Sequence, residues 1–318
     1  MTRQKWKRWA MKPAARRGAT ALALLMALAG ILSSIALGEE ESRYIENEWN
    51  YVDVSMDVSG GIPEDATGRL ARIRAAGKLT VATAPSYPPQ EFIDDTLSGQ
   101  ARFVGADMEL ARLIAERMGV ELKIVPLEFT EVLSAVSDGK VDLAVSALSF
   151  TSGRAAVMEM SKGYYFTTEQ ASTGLIIREE NAEEIQKVED LEDRDIVAQS
   201  GSLQETMAAE NIAFYRKFKR LHSASDVYDA VMAGEADAGI VDVGIAKVFI
   251  DNHPGCGLMI VPEVFFALPP QYQGDRVAAK KGEIELICFV NGVIDEVTAS
   301  GQYDRWFEQY AQYGAAQD

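Results

Sequence analysis

Histidine and cysteine are scarce in this chain. His222 and His253 are the only histidines among 318 residues, and Cys256 and Cys288 the only cysteines. Two isolated histidines cannot supply the clustered ligands that hold zinc, and no Cys-x-x-Cys pair exists. No metal or other cofactor is therefore expected. Also missing are a Gly-x-Ser-x-Gly nucleophile elbow, a phosphate-binding loop and a dinucleotide fingerprint. His253 lies in the turn-like NHPGCG and reads as a solvated loop residue, so no catalytic residue is expected. Positive charge is short as well: 31 Lys and Arg stand against 48 Asp and Glu, a formal net charge of −17. Nucleic acid and anionic membrane surfaces repel such a chain, and neither is expected as a partner.

The bases that exist are unevenly placed. Arg3, Lys5, Lys7, Arg8, Lys12, Arg16 and Arg17 precede any acid, and the apolar run ATALALLMALAGILSSIAL follows them. A basic start, an apolar middle and the small-residue site Ala36-Leu37-Gly38 make residues 1–38 a signal peptide cut after Gly38. The run is also long enough to span a bilayer, so an uncleaved N-terminal membrane anchor is the alternative. Ile31 stands where a lipoprotein needs its lipid-bearing cysteine, which excludes thioether lipidation. Removal of the segment would leave a strongly acidic protein outside the cytoplasm, periplasmic or extracellular. Residues 39–67, acidic and broken by Gly60-Gly61 and Pro63, read as a leader with little regular structure.

Regular periodicity begins with EDATGRLARIRAAG, a helix stopped by Gly77. A strand from Leu79 to Thr83 follows, then a turn-rich APSYPPQEF, then a helix expected to be capped by Asp107. Strand 122–127, helix 130–138 and the strand in VDLAVSALSF complete a β-α-β-α-β alternation, which implies a parallel sheet covered on both faces. A second series starts near Gly174, with strands GLIIR, DIVAQ and AGIVD, a charged helical patch after the first and a helix after Ser202. Ala135-Val136-x-x-Gly139-x-x-Asp142 recurs as Ala230-Val231-x-x-Gly234-x-x-Asp237. In each, the glycine should end a helix in a left-handed turn and the aspartate open a strand. Two units of like topology explain the echo. Residues 284–310 read as helix, with Trp306 and Phe307 as docking residues.

Open α/β sheets bind ligands in loops at strand ends. Three such loops stand out: 84–92, with Tyr87 beside two prolines; 146–154, rich in hydroxyls and ending in Arg154; and Gln199-Ser200-Gly201-Ser202, where a helix starts with free N–H groups suited to an anion. Asp242 closes the buried strand GIVD. An arginine at one strand end and a carboxylate at another suit a ligand carrying both charges. On pattern alone, Arg154 reads equally as a surface residue and Asp242 as a cap, while Tyr87 and Phe129 read as core.

Together these stretches resemble the amino-acid-binding proteins of ABC importers, the family 3 extracellular solute-binding proteins. RLARIRAAGKLTVAT, YPPQEF, VGADMELARLIAERMGV, DGKVDLAVSALSFTSGR, KGYYF, IVAQSGSLQE, GEADAGIVD and GQYDRWFEQY follow one another in family order. The resemblance implies an α/β fold of periplasmic binding protein type II. Each of its two lobes is a mainly parallel sheet flanked by helices, and two crossing strands form the hinge. Lobe 1 would be 68–171 and 273–318, lobe 2 172–272, with one cysteine in each lobe and hence two free thiols.

The resemblance also implies residue roles. Arg154 would grip the ligand carboxylate, helped by Ser149 and the backbone at Ser146 and Ala147. Asp242 would take the α-ammonium, and Tyr87 and Phe129 would sandwich the side chain. Ser202, beside Gln199, would complete the carboxylate site on closure. Ala84 stands where members binding cationic or amide ligands carry an acid, and Val241 and Leu203 are apolar, so a neutral L-amino acid is expected. The implied partner is an ABC-type permease in the membrane, served by a monomer. The alternative is an enzyme on the same fold, such as a cyclohexadienyl-type dehydratase, although Glu91 and Glu128 read as facing solvent or the neighbouring lobe. A ligand-sensing module of a membrane receptor is a third reading, without a signalling domain in the sequence to support it.

Overall fold

The computed structural model describes residues 51–166, 173–268 and 273–313. The expected signal or anchor at 1–38, the first part of the leader and the lobe boundaries at 171–172 and 272 lie outside the described residues.

The first half of the described chain runs α1 (Gly68–Ala76), β1 (Lys78–Thr83), β2 (Ser86–Tyr87), β3 (Glu91–Ile93), β4 (Phe103–Val104), α2 (Ala106–Met118), β5 (Glu121–Pro126), α3 (Phe129–Ser137), β6 (Leu143–Ser149), α4 (Ser152–Val157) and β7 (Met158–Tyr165). Next come β8 (Thr173–Arg178), β9 (Asp195–Gln199), α5 (Leu203–Asn211), β10 (Lys217–Leu221), α6 (Ala224–Met232), β11 (Ala238–Asp242), α7 (Val243–Asn252) and β12 (Leu258–Phe266). The chain then returns through β13 (Asp275–Lys280), α8 (Ile284–Ser300) and α9 (Gln302–Tyr313).

Two five-stranded sheets result, ordered β5-β1-β6-β13-β7 and β10-β9-β11-β8-β12, with β2-β3-β4 as a small third sheet. In each large sheet a single strand opposes the rest: β13 pairs antiparallel with β6 and β7, and β8 antiparallel with β11 and β12. Those are the strands that enter each sheet from the other. The molecule is thus the two-lobed fold expected, with each sheet parallel apart from its incoming strand.

Both cores follow from the aliphatic strands. Leu143, Ala144 and Val145 of β6, and Ile196, Val197 and Ala198 of β9, are buried. Each buried Leu, Ile or Val contributes roughly 1.5–3 kcal/mol. The echoed motif makes the same joint in both lobes. Gly139 and Gly234 take φ of 73° and 72°, and Lys140 N and Glu235 N bond back to Ala135 O and Ala230 O. Asp142 N donates to Thr80 O, and its carboxylate accepts from Thr80 N at 2.8 Å. Asp237 does the same with Asp195 O and N, again at 2.8 Å on the carboxylate. Each aspartate locks the strand it opens to the first parallel strand of its own sheet.

Several expectations need correcting. Gly105 precedes the first turn of α2, and Asp107 lies inside the helix, fully buried. The charged patch after β8 forms two short 3-10 turns, Glu179–Asn181 and Val188–Leu191, instead of an α-helix. The C-terminal helix is two helices broken at Gly301, and Phe307 stacks on Tyr165 at 4.6 Å. Residues 51–67 are irregular, yet they are not loose. Val52 is buried and bonds to Met160 O, Met56 N donates to Cys288 O, and Asn291 Nδ2 donates to Val52 O and Val54 O.

Candidate functional site

The loops after β1, β6, β9 and β11 meet around a cavity of about 320 Å³. All nine candidate residues line it. Tyr87, Phe129, Ser146, Ala147, Ser149 and Arg154 come from the side of the first sheet, and Gln199, Ser202 and Asp242 from the second. The walls touch: Ser225 Oγ donates to Ser86 O at 3.0 Å, and Arg154 Nη2 donates to Gly201 O at 3.0 Å.

Arg154 is set by its local sequence. Thr151 caps α4 by accepting from Arg154 N, and Arg154 Nη1 folds back to Ser149 O at 2.7 Å. The guanidinium lies 5.4 Å from the centre of the Phe129 ring. Arg154 is only 8% exposed, and burial lowers its pKa to about 10 against the opposing pull of Asp275. The guanidinium donates to the carbonyls of Ser149 and Gly201, which carry no countercharge. A buried cation so placed is poised for an anion.

Asp242 is a cap and a cavity wall at once. It ends β11, and its Oδ1 accepts from Ile245 N at 3.1 Å to start α7. Ser202 caps α5, accepting from Glu205 N at 3.0 Å and donating to Gln199 O at 2.7 Å. Its hydroxyl is thereby committed. By helix geometry the donors left over are the amides of Leu203 and Gln204, both of which line the cavity.

Behind the first wall lies a buried polar network that sequence reasoning missed. Asp107 accepts from Tyr303 Oη at 2.5 Å, Tyr164 Oη at 2.9 Å and Ala147 N at 2.8 Å. The last bond holds Ala147 at φ 47°, a conformation costing about 1–3 kcal/mol in a residue with a side chain. Gln90 Nε2 links Tyr303 to Asp275, donating to Asp275 Oδ2 at 2.7 Å. Ser146 Oγ accepts from Ala84 N and donates to Glu91 Oε1 at 2.9 Å. Gly105 makes this layering possible, because a Cβ there would sit 2.2 Å from Gln90 O. Asp107 and the two tyrosines stand in stretches that carry the family resemblance, but nothing local gives them a role; their convergence from α2, β7 and α9 does.

Glu91 is therefore not solvent-facing. It is 1% exposed and lines the cavity, whereas Glu128 is exposed at the start of α3. Burial, then the charge of Asp107, holds the Glu91 carboxyl well above its ordinary pKa. Burial raises Asp107 too, opposed by the bonds from Tyr303, Ala147 and Tyr164. The two carboxyls interact and favour sharing a proton. Asp275 also lines the cavity, and burial followed by Asp107 pushes it up to about 8. Val241 does not line this cavity; it is buried beside a smaller pocket behind Asp242.

Among the described residues no cluster of His, Cys, Asp and Glu fits a metal ion, and no helix is long and apolar enough to cross a membrane. Cys256 and Cys288 are unpaired; Cys256 packs in the core beside β11, and Cys288 is buried on α8.

Residues 79–313 match the family model for bacterial extracellular solute-binding proteins, family 3. A probable histidine-binding protein of Campylobacter jejuni is 30% identical over 236 residues, covering 73% of this chain and 84% of that one. The L-cystine-binding protein of Escherichia coli K12 is 23% identical over 246 residues, 76% of this chain and 86% of its own. A solved structure from Streptococcus pneumoniae, an amino acid ABC transporter substrate-binding protein bound to L-arginine, superposes with a TM-score of 0.69 at 32% identity, covering 78% of this chain and all of that one. With the family pattern running through the elements that build both walls of the cavity, the chain belongs to the family 3 bacterial extracellular solute-binding proteins.

Proposed function

We propose that the protein is an extracytoplasmic receptor that holds an L-amino acid as its zwitterion and delivers it to an ABC-type permease. The reading is carried by one observation: a buried Arg154 and a carboxylate, Asp242, line the same cavity from opposite walls. An α-carboxylate would take the guanidinium and the amides at the start of α5, and an α-ammonium would take Asp242. The names of the relatives, which bind histidine, cystine and arginine, support the ligand class.

The expectation of a neutral ligand side chain rested on Ala84, Val241 and Leu203. It is weakened by Val241 lying outside the cavity and by Glu91 and Asp275 lying on it. A thermal-shift screen of amino acids tests the receptor reading. At about 100 times its Kd a ligand should add roughly 2.7 kcal/mol of stability; no rise with any amino acid would sink it. One observation favours the enzyme alternative: Glu91 is a buried, proton-retaining carboxyl on the cavity wall. Turnover of a prephenate-like substrate, lost in Glu91→Gln, would replace the receptor reading. Export is tested by N-terminal sequencing of protein recovered outside the cytoplasm, with Glu39 expected first.

A further inference from the structure

We propose that Asp275, steadied by Gln90 on the first wall of the cavity, is a specificity-determining residue that receives a cationic group on the ligand side chain, so that the receptor selects a basic amino acid. This rests on the receptor reading above and adds to it the class of ligand.

The lining of the cavity is unequal in acids and bases. Three acidic residues, Glu91, Asp242 and Asp275, line the cavity against one base, Arg154. A bound zwitterion is neutral overall and would use Arg154 and Asp242, one charge each. Two carboxyl groups remain. Glu91 is turned into the wall, bonded to Ser146 and backed by Asp107, and is 1% exposed. Asp275 is different. It is only partly buried, and its carboxyl accepts a hydrogen bond from the neutral amide of Gln90. Among the described residues it enters no ion pair. A carboxylate held in a low-dielectric wall without a countercharge is unfavourable, and a ligand cation would relieve that.

The surroundings fit a cation. Tyr165 and Tyr87 line the same cavity, and aromatic faces attract guanidinium and ammonium groups. Ala84, the absence that pointed to a neutral ligand, is compatible with this. The acid is supplied from β13, nearly two hundred residues further along the chain, on the same wall.

A proton follows from the same geometry. The charged and titratable groups around Asp275 are Asp107 on α2, Asp242 at the start of α7, Glu91 on β3, Arg154 on α4 and the adjacent Arg276 on β13, with the phenols of Tyr87, Tyr164, Tyr165 and Tyr303. Arg276 is itself engaged, donating to Ser161 O and lying over the Tyr51 ring. Burial and the neighbouring acids outweigh Gln90 and Arg154, and the carboxyl titrates at about 8. In the unfilled cavity at neutral pH it is mostly protonated. When a cationic side chain arrives, the carboxyl gives its proton to solvent and forms an ion pair, with no other bond changed. Affinity for a cationic ligand should thus rise with pH until Asp275 is ionised.

Calorimetry with two isosteric pairs tests this: L-arginine against L-citrulline, and L-lysine against the straight-chain L-amino acid with a pentyl side chain, each at pH about 6 and about 8.5, either side of the Asp275 transition. In the parent, at least one cationic ligand should bind about tenfold or more tightly than its neutral isostere, a gap of ~1.4 kcal/mol. That preference should widen at the higher pH. In Asp275→Asn, which keeps size and hydrogen bonding, the preference and its pH dependence should vanish while the isostere binds as before. The proposal is overturned if neither cation outbinds its isostere, or if Asp275→Asn weakens cationic and neutral ligands alike. If no amino acid binds the parent at all, the receptor reading itself has failed, and this inference goes with it.

Discussion

The two walls of the cavity are built on different principles. The first is backed by a continuous polar network: Asp275 to Gln90, Gln90 to Tyr303, Tyr303 to Asp107, and Asp107 to Tyr164 and Ala147. The second presents two helix starts, α5 capped by Ser202 and α7 capped by Asp242, with aliphatic Val197 and Ile240 in the sheet behind them. The scaffolds beneath are alike, since Asp142 and Asp237 make the same strand-to-strand joint. The difference therefore lies in the loops and helix ends. A wall fixed by many side-chain bonds is preorganised, and a ligand docking there meets groups already in place. A wall of caps needs little more than its backbone, and offers the amides of its helix starts to the cavity. The first wall should govern which ligand is chosen, and the second how completely it is enclosed.

Removing either charge of the clamp gives the largest expected effect on binding. Arg154→Ala should weaken binding by about 2–5 kcal/mol, because it strands the ligand carboxylate in a closed site. Asp242→Asn should cost a similar amount while sparing the cap on α7. Calorimetry on both, beside circular dichroism to confirm folding, checks this. Next comes the network. Asp107→Ala would leave two phenols and the Ala147 amide without their acceptor, at roughly 1–3 kcal/mol each, read as a lower denaturant midpoint. If Asp107→Ala is as stable as the parent, the first wall is not held by its network and the contrast between walls collapses. Ser202→Ala should be milder, about 1 kcal/mol of stability for a lost cap, with little change in affinity because the hydroxyl is already committed.

The remaining expectation is one of pH. The folded-state pKa of Asp275, about 8, stands above its ordinary value of 3.8. Such a group favours the folded form fully below the unfolded pKa and loses that contribution as pH rises through the folded one. The melting temperature of unfilled protein should carry a component that declines between pH about 4 and 8, and Asp275→Asn should flatten it. A variant that declines as steeply as the parent would show that Asp275 is already ionised in the unfilled site.

The local grammar of the chain made much of this legible. Helix stops at Gly77 and Gly139, aliphatic strands and the repeated Gly-x-x-Asp joint rest on short-range rules, and they match the structure. The nine candidate residues lie at strand ends or in the helix starts and short strands beside them, where the β-α alternation says a ligand belongs. What stayed hidden depends on distance along the chain. Asp107 looks like a helix cap because capping is a local rule, yet it is buried among Tyr164, Tyr303 and Ala147. Asp275 follows a crossing segment, and nothing beside it in sequence says that Gln90 will meet it. The neutral pocket was read from what Ala84 lacks, and an acid can return to the same wall on a distant strand.

The most direct test of the clamp uses one amino acid chosen by the thermal-shift screen, its des-amino analogue, and calorimetry on the parent, Arg154→Ala and Asp242→Asn. The account predicts that both variants bind the amino acid roughly 30-fold to several-thousand-fold more weakly, at ~1.4 kcal/mol per tenfold. The des-amino analogue should lose little further in Asp242→Asn, whose partner it lacks, and should still lose heavily in Arg154→Ala. Either variant binding the amino acid as tightly as the parent would contradict the account.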